Sequence, residues 1–194
     1  MHTYLKSLLV TLLFLCSITA SFSQKQKKGT KNGVKKIESP YFQNLFQLND
    51  SIFRSEQPDK KGFGEIHQLK IKSILSLYPN SEDKKLTWKY NFDHYHVNMY
   101  SDDFSDKDIA KALYFIEIAH KPLLIHCKHG SDRTGLVIAM YRIMFNNWTR
   151  QNAIDEMKKG DFGFNEKYEN MIEYIQKVDL TKIKKKIKEM ESEE

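Results

Sequence analysis

The chain has 194 residues, 40% of them hydrophobic and 12% aromatic, with a formal net charge of +6. That is enough apolar material for one ordinary globular core and too little length for two. Cysteines stand only at positions 16 and 127, and the first falls in a segment read below as removed, which excludes a disulfide within the mature chain.

From the N-terminus, a short head carrying Lys6 leads into an apolar run from Leu8 to Ala20, followed by small residues at Ser21 and Ser23. This layout is that of a secretory signal peptide over residues 1–23, cleaved after Ser23, and it predicts an exported, periplasmic or secreted protein. An uncut membrane anchor is the alternative, but the run is short of the roughly 20 residues a span requires, so no stable membrane insertion is expected after cleavage. Leu15 is bulky where a lipoprotein signal has a small residue, so Cys16 is not read as a lipidation site. Residues 24–40 form a flexible basic leader, with six lysines and no acid between Gln24 and Lys36. It lacks interleaved aromatics, so it reads as a solvated linker and not as a nucleic-acid arm.

The domain proper is expected over 41–178. Alternating runs around Leu45 and Ile52 predict a small strand pair ending at Pro58. A short helix over Lys60–Leu69 follows, then a buried strand over Ile71–Tyr78 bounded by the turn-forming "PNSED", and a second strand over Phe92–Tyr100. "SDDFSD" opens a helix over Ser105–His120 with Ile109, Leu113, Ile116 and Ile118 on its apolar face. "PLLIHC" is a short apolar strand. Thr134–Asn147 is apolar on most sides and predicts a buried helix, with further helices over Arg150–Lys159 and Asn165–Lys177. The charged stretch 179–194 reads as a tail with a frayed terminal helix. Strands alternating with helices imply an α/β fold: a central, mostly parallel sheet flanked by helices on both faces. There are no internal repeats.

The chemistry concentrates in "PLLIHCKHGSDRTG", Pro122 to Gly135. A strand, a loop and a helix in succession place that loop at the carboxyl edge of the sheet, where open α/β folds bind ligands. The helix N-terminus offers backbone N–H groups and the positive end of its dipole to an anion. Gly130 lets the loop curl so that N–H groups from Lys128 through Ser131 and Asp132 converge on one point, and the Arg133 fork suits two phosphate oxygens. The same field favours the thiolate of Cys127, the nucleophilic form. Thr134 can hydrogen-bond the sulfur and His126 can orient the loop. The plain alternative for a lone cysteine is a buried, inert side chain; these neighbours argue against it.

His126-Cys127-(five residues)-Arg133-Thr134 resembles the signature of cysteine-dependent protein tyrosine and dual-specificity phosphatases. "FRSEQP" (Phe53–Pro58), "ILSLY" and "VNMYSDD" are similar to pieces of the bacterial dual-specificity-like members, so the resemblance runs from about Asn44 to Lys177. It implies a protein tyrosine phosphatase-like fold, a cysteinyl-phosphate intermediate at Cys127, no metal and no cofactor. It also implies an aspartate that protonates the leaving oxygen. Asp102 and Asp103, just after a strand, are the preferred candidates because the acid must approach from the substrate side. Asp132 is the third: it resembles the Asp-Arg-Thr ending of myotubularin-like lipid phosphatases, which implies a loop aspartate as the acid. Its alternative role is to tie loop N–H groups or hold Arg133.

The expected substrate is a phosphorylated protein or small phosphomonoester, of phosphotyrosine or dual-specificity type. Lys128 and His129 resemble the basic loops that accompany inositol phosphates and inositol lipids, which is the second reading. Three others compete. A zinc site could draw on His94, His96, His126, Cys127 and His129, but the set lacks a completing cysteine pair or carboxylate; His94 and His96 more simply cap a strand edge or line the pocket mouth. A non-catalytic phosphate-binding module would usually have lost the cysteine, the arginine or the acid. A rhodanese-like sulfurtransferase also uses one loop cysteine, but the Arg-Thr-Gly entry into a helix suits phosphate transfer better.

Overall fold

The structure, a computed structural model, describes residues 33–193. The signal-peptide reading and most of the leader, up to residue 32, lie outside the described residues. Six strands form one sheet: β1 (Lys35–Lys36), β2 (Phe46–Asn49), β3 (Ile52–Ser55), β4 (Ser73–Ser76), β5 (Asp93–His96) and β6 (Leu123–His126). Their order is β1-β2-β3-β6-β4-β5. The β1, β2 and β3 strands pair antiparallel, and β3, β6, β4 and β5 pair parallel. The sheet is therefore mostly parallel, as the alternation of strands and helices implies.

The helices are α1 (Lys60–Gln68), α2 (Asp83–Leu86), α3 (Asp106–Ile118), α4 (Asp132–Phe145), α5 (Arg150–Lys159), α6 (Glu169–Lys177) and α7 (Leu180–Glu191). Alternation along the strands divides the core into two layers. Ile52, Leu75, Leu123 and Ile125 join the larger cluster with residues from α3, α4, α5, α6 and α7. Phe53, Ile74 and Leu124 point the other way, onto Phe63 and Ile66 of α1. β6 is buried along its whole length between β3 and β4, which is why its sequence is a continuous apolar run.

Helix starts follow local capping chemistry. Ser105 and Asp108 form a reciprocal capping box at α3, Thr149 accepts from the N–H of Asn152 at α5, and Asp179 accepts from Thr181 and Lys182 at α7. Several expectations differ from what is observed. β1 pairs Lys35 and Lys36 with β2, inside the stretch expected to be a flexible leader, and α2 begins at the end of the "PNSED" turn, where no helix is expected. β5 ends at His96 rather than Tyr100, since it is the sheet's edge strand and pairs on one side only. α6 begins at Glu169 rather than Asn165, because residues 165–168 form a turn of their own, in which Asn165 Oδ1 accepts from the N–H of Lys167 and its carbonyl from that of Tyr168. The charged C-terminal stretch is not frayed: α7 lies along α3, with Ile183 and Ile187 buried in the larger core cluster. The lysines hid this; isoleucines four apart still give one apolar stripe.

The parallel register fixes where loops meet. His126, the last residue of β6, stands level with Ser55 of β3 and Ser76 of β4. The segments that follow these three strands therefore emerge side by side at the carboxyl edge of the sheet.

Candidate active site

The loop 127–131 joins β6 to α4, and Cys127 at its base is 1% exposed. Gly130 adopts φ +71°, and a Cβ there would lie 2.4 Å from the carbonyl carbon of Ser55. The loop thus presses directly on the backbone leaving β3, which only glycine permits.

Four consecutive carbonyls of the loop are held by the surrounding scaffold. The Lys128 carbonyl accepts from the N–H of Gln57 (3.2 Å), and that of His129 accepts from Asn44 Nδ2 (2.9 Å). Arg54 Nη2 donates to the Gly130 carbonyl at 2.6 Å and, more loosely, to that of Ser131 at 3.4 Å. A trans peptide points its N–H opposite to its C=O. Carbonyls bound outward therefore turn the N–H groups of His129, Gly130, Ser131 and Asp132 to the inner side of the loop, the arrangement of an anion-binding nest.

Arg133 sits in the first turn of α4. Its Nη1 donates to the carbonyl of Met99 at 3.1 Å, and its guanidinium carbon lies 5.4 Å from the Tyr78 ring centroid. Among the described residues its buried Nε has no hydrogen-bond partner, nor has Thr134 Oγ1. A guanidinium anchored at one corner with a buried donor unspent suits a phosphate with two oxygens to offer.

His126 is fully buried, and its Nε2 bonds Asp83 Oδ2 at 2.8 Å, while Nδ1 lies 3.4 Å from the Cys127 carbonyl. Asp83 Oδ1 accepts from Gln57 Nε2 at 2.6 Å. Burial pushes the Asp83 carboxyl upward, but the hydrogen bonds and charge of His126, with Gln57 and Ser81, outweigh it and hold the group down to about 2. A carboxylate at Nε2 fixes that nitrogen as the donor, so the ring beside Cys127 has one orientation.

The three candidate acids are placed differently. Asp132 caps the structure: its Oδ1 accepts from the N–H of Asn165 at 2.9 Å, tying the α5–α6 connection to the loop. Asp102 and Asp103 are exposed on the segment that begins at Met99, the residue bonded to Arg133. Asn170 Nδ2 holds that segment through the Ser101 carbonyl at 3.0 Å. Lys128 and His129 expose their side chains on the loop, and Ser131 is buried, its hydroxyl donating to the His129 carbonyl. The other histidines go elsewhere: His94 to Thr87 Oγ1 and His96 to the Tyr78 carbonyl. No cluster of three metal-type donors occurs among the described residues.

Two buried residues of this site, Arg54 and Asp83, were given no role by the sequence. Arg54 and Gln57 lie in "FRSEQP", a segment that resembles the family, whereas Asp83 ends the "PNSED" stretch, whose only signal is for a turn.

With this geometry in hand, the comparisons with known proteins are direct. Residues 42–194 match the tyrosine phosphatase family. The dual specificity protein phosphatase TpbA of Pseudomonas aeruginosa is 28% identical over 139 residues, 71% of this chain and 63% of that protein. The chain therefore spans somewhat under two thirds of this relative's length. A crystal structure of P. aeruginosa TpbA in complex with pTyr superposes with a TM-score of 0.67 at 26% identity, covering 78% of this chain and 98% of the other. The core catalytic domain of the PP-IP phosphatase SIW14 from S. cerevisiae gives 0.66 at 28% identity, covering 76% and 93%. The chain belongs to the tyrosine phosphatase family.

Proposed function

We propose that the chain hydrolyses phosphomonoesters through a cysteinyl-phosphate intermediate. The observation that carries this reading is the buried Cys127 at the base of a loop whose carbonyls are bonded outward, with Arg133 Nε unspent beside it. The inward N–H groups and Arg133 bind the three non-bridging oxygens and the charge they gain in the transition state. The Cys127 sulfur attacks phosphorus, and the ester oxygen leaves with a proton from Asp102 or Asp103. These two are favoured because Asp132 already spends an oxygen on Asn165. In the second half, that same carboxylate takes a proton from water as it attacks phosphorus, and the Cys127 thiolate and phosphate are released.

The preferred substrate is a phosphotyrosine or dual-specificity type phosphomonoester, supported by the likeness to a protein crystallised with phosphotyrosine. A second reading, an inositol phosphate or inositol diphosphate, is supported by the exposed Lys128 and His129 on the loop and by relatives named inositol diphosphatases. Phosphate release from p-nitrophenyl phosphate, phosphotyrosine and phosphoserine peptides, inositol phosphates and a phosphoinositide tests both. Turnover is expected to vanish in Cys127→Ser while phosphate binding remains, and the preferred substrate decides between the readings. Wild-type turnover no higher than that of Cys127→Ser would leave a phosphate-binding module. Export is proposed with this activity on the apolar run Leu8–Ala20 alone; a secreted or periplasmic chain beginning at Gln24, read by mass spectrometry, is the expected result.

A further inference from the structure

Arg54 is an unusual residue to find in the middle of a β-strand. It is 1% exposed, and among the described residues its charge has no direct carboxylate partner: its hydrogen bonds go to the carbonyls of Gly130 and Ser131. Its guanidinium carbon lies 3.8 Å from the centroid of the Phe162 ring, which packs edge-on against Phe46. Asn44 Nδ2 completes the bracket, donating to both the Phe162 and the His129 carbonyls. The residues behind the phosphate loop thus form one packed unit, with Arg54 in direct contact with the peptides that make the nest.

We infer that Arg54 is a positioning residue for this loop: it holds the Gly130 and Ser131 carbonyls away from the anion and so keeps the N–H groups of the nest turned inward. The inference rests on the phosphatase reading above. A carbonyl released from Arg54 could rotate inward and present a negative dipole to the phosphate, so one lost contact would both remove donors from the nest and add repulsion. Burial lowers the Arg54 pKa to about 10, which still leaves the guanidinium charged at neutral pH. Two buried carboxylates are engaged elsewhere. Asp83 is bound to His126, and Glu156 to Arg142 by two hydrogen bonds.

The test reads the loop through inorganic phosphate, whose binding is measured by calorimetry, beside kcat/KM on p-nitrophenyl phosphate and thermal melts of each variant. Arg54→Met is expected to weaken phosphate binding and to lower kcat/KM, each at least about tenfold, through inward rotation of the Gly130 and Ser131 carbonyls. Arg54→Lys keeps the charge but not the planar fork. It is expected to lower kcat/KM at least about tenfold, as is Phe162→Leu, which removes the stacking surface and leaves Arg54 in place. Arg54→Met with wild-type phosphate binding, or Arg54→Lys with wild-type kcat/KM, would overturn the inference. Should Arg54→Met not fold, Arg54→Lys and Phe162→Leu decide it. Phosphate binding needs no turnover, so a wild type without turnover whose phosphate binding depends on Arg54 would sink the phosphatase reading and leave the positioning role standing.

Discussion

Gly130 and Gly135 lie five residues apart, yet substitution should affect them oppositely. At Gly130 the backbone is at φ +71°, and an added Cβ would sit 2.4–2.5 Å from Ser55 and Glu56 backbone atoms, which cannot yield without moving the end of β3. The loop must shift instead, and a displacement of about 1 Å in a catalytic loop costs about a hundredfold in rate. Gly130→Ala is therefore expected to lose about two orders of magnitude in kcat/KM and about 1–3 kcal/mol of stability, the usual cost of a side chain forced into that backbone region. At Gly135, inside α4, the nearest atom to an added Cβ is Met157 Cγ at 3.0 Å. A methionine side chain can turn aside, and alanine is the better helix former by up to about 1 kcal/mol. Gly135→Ala should stay within about 1 kcal/mol of the wild type with its kinetics intact. Thermal melts and steady-state kinetics on both variants check the contrast, and equal losses would mean that the loop is not pinned at Gly130.

Three elements are clamped together by one buried carboxylate, since Asp83 at the start of α2 joins His126 at the end of β6 to Gln57 just beyond β3. Its pKa is about 2 in the folded protein against an ordinary 3.8. A depressed carboxyl pKa stabilises the fold above the unfolded value and loses that contribution as pH falls through the folded one. The shift corresponds to about 2 kcal/mol, present above about pH 4 and fading towards pH 2. Asp83→Asn keeps an acceptor for His126 but has no such charge to lose. Urea unfolding at about pH 5 and pH 2 should show the wild type losing about 2 kcal/mol more than the variant; parallel losses would contradict the clamp. This element-scale bonding also explains what could be seen in advance. The signature from His126 to Thr134 is contiguous, so the family could be read from it, and the main strands and helices, though not β1 or α2, followed from apolar spacing. Arg54 and Asp83 reach the same loop from 76 residues before Gly130 and 43 before His126. Only the pairing of β3 and β4 on either side of β6 brings them there, and no local pattern announces that pairing.

On the scale of the whole molecule, the two faces of the sheet do different work. The loop 127–131 hangs from the carboxyl edge, and its rigidity depends on a larger core layer that the chain finishes only at its last helix. α7 carries lysines on most of its surface, so its net contribution rests on Ile183 and Ile187, both in the same core cluster as Leu113 and Ile116 of α3. Ile183 has no exposed surface, and truncating a fully buried isoleucine to alanine costs about 2–5 kcal/mol through lost transfer energy and the cavity left behind. That is a large share of the roughly 5–15 kcal/mol by which a domain of this size is stable. Ile183→Ala should therefore lower the urea midpoint markedly while leaving kcat near wild type at low temperature, because the helix that carries it packs on α3. A cost below about 0.5 kcal/mol would mean that α7 can leave α3 without consequence and is a tail in energetic terms. A full cost would make the last helix part of the folding unit, so that chains ending near Val178 would expose the α3 surface it covers and fail to hold the loop in place at physiological temperature.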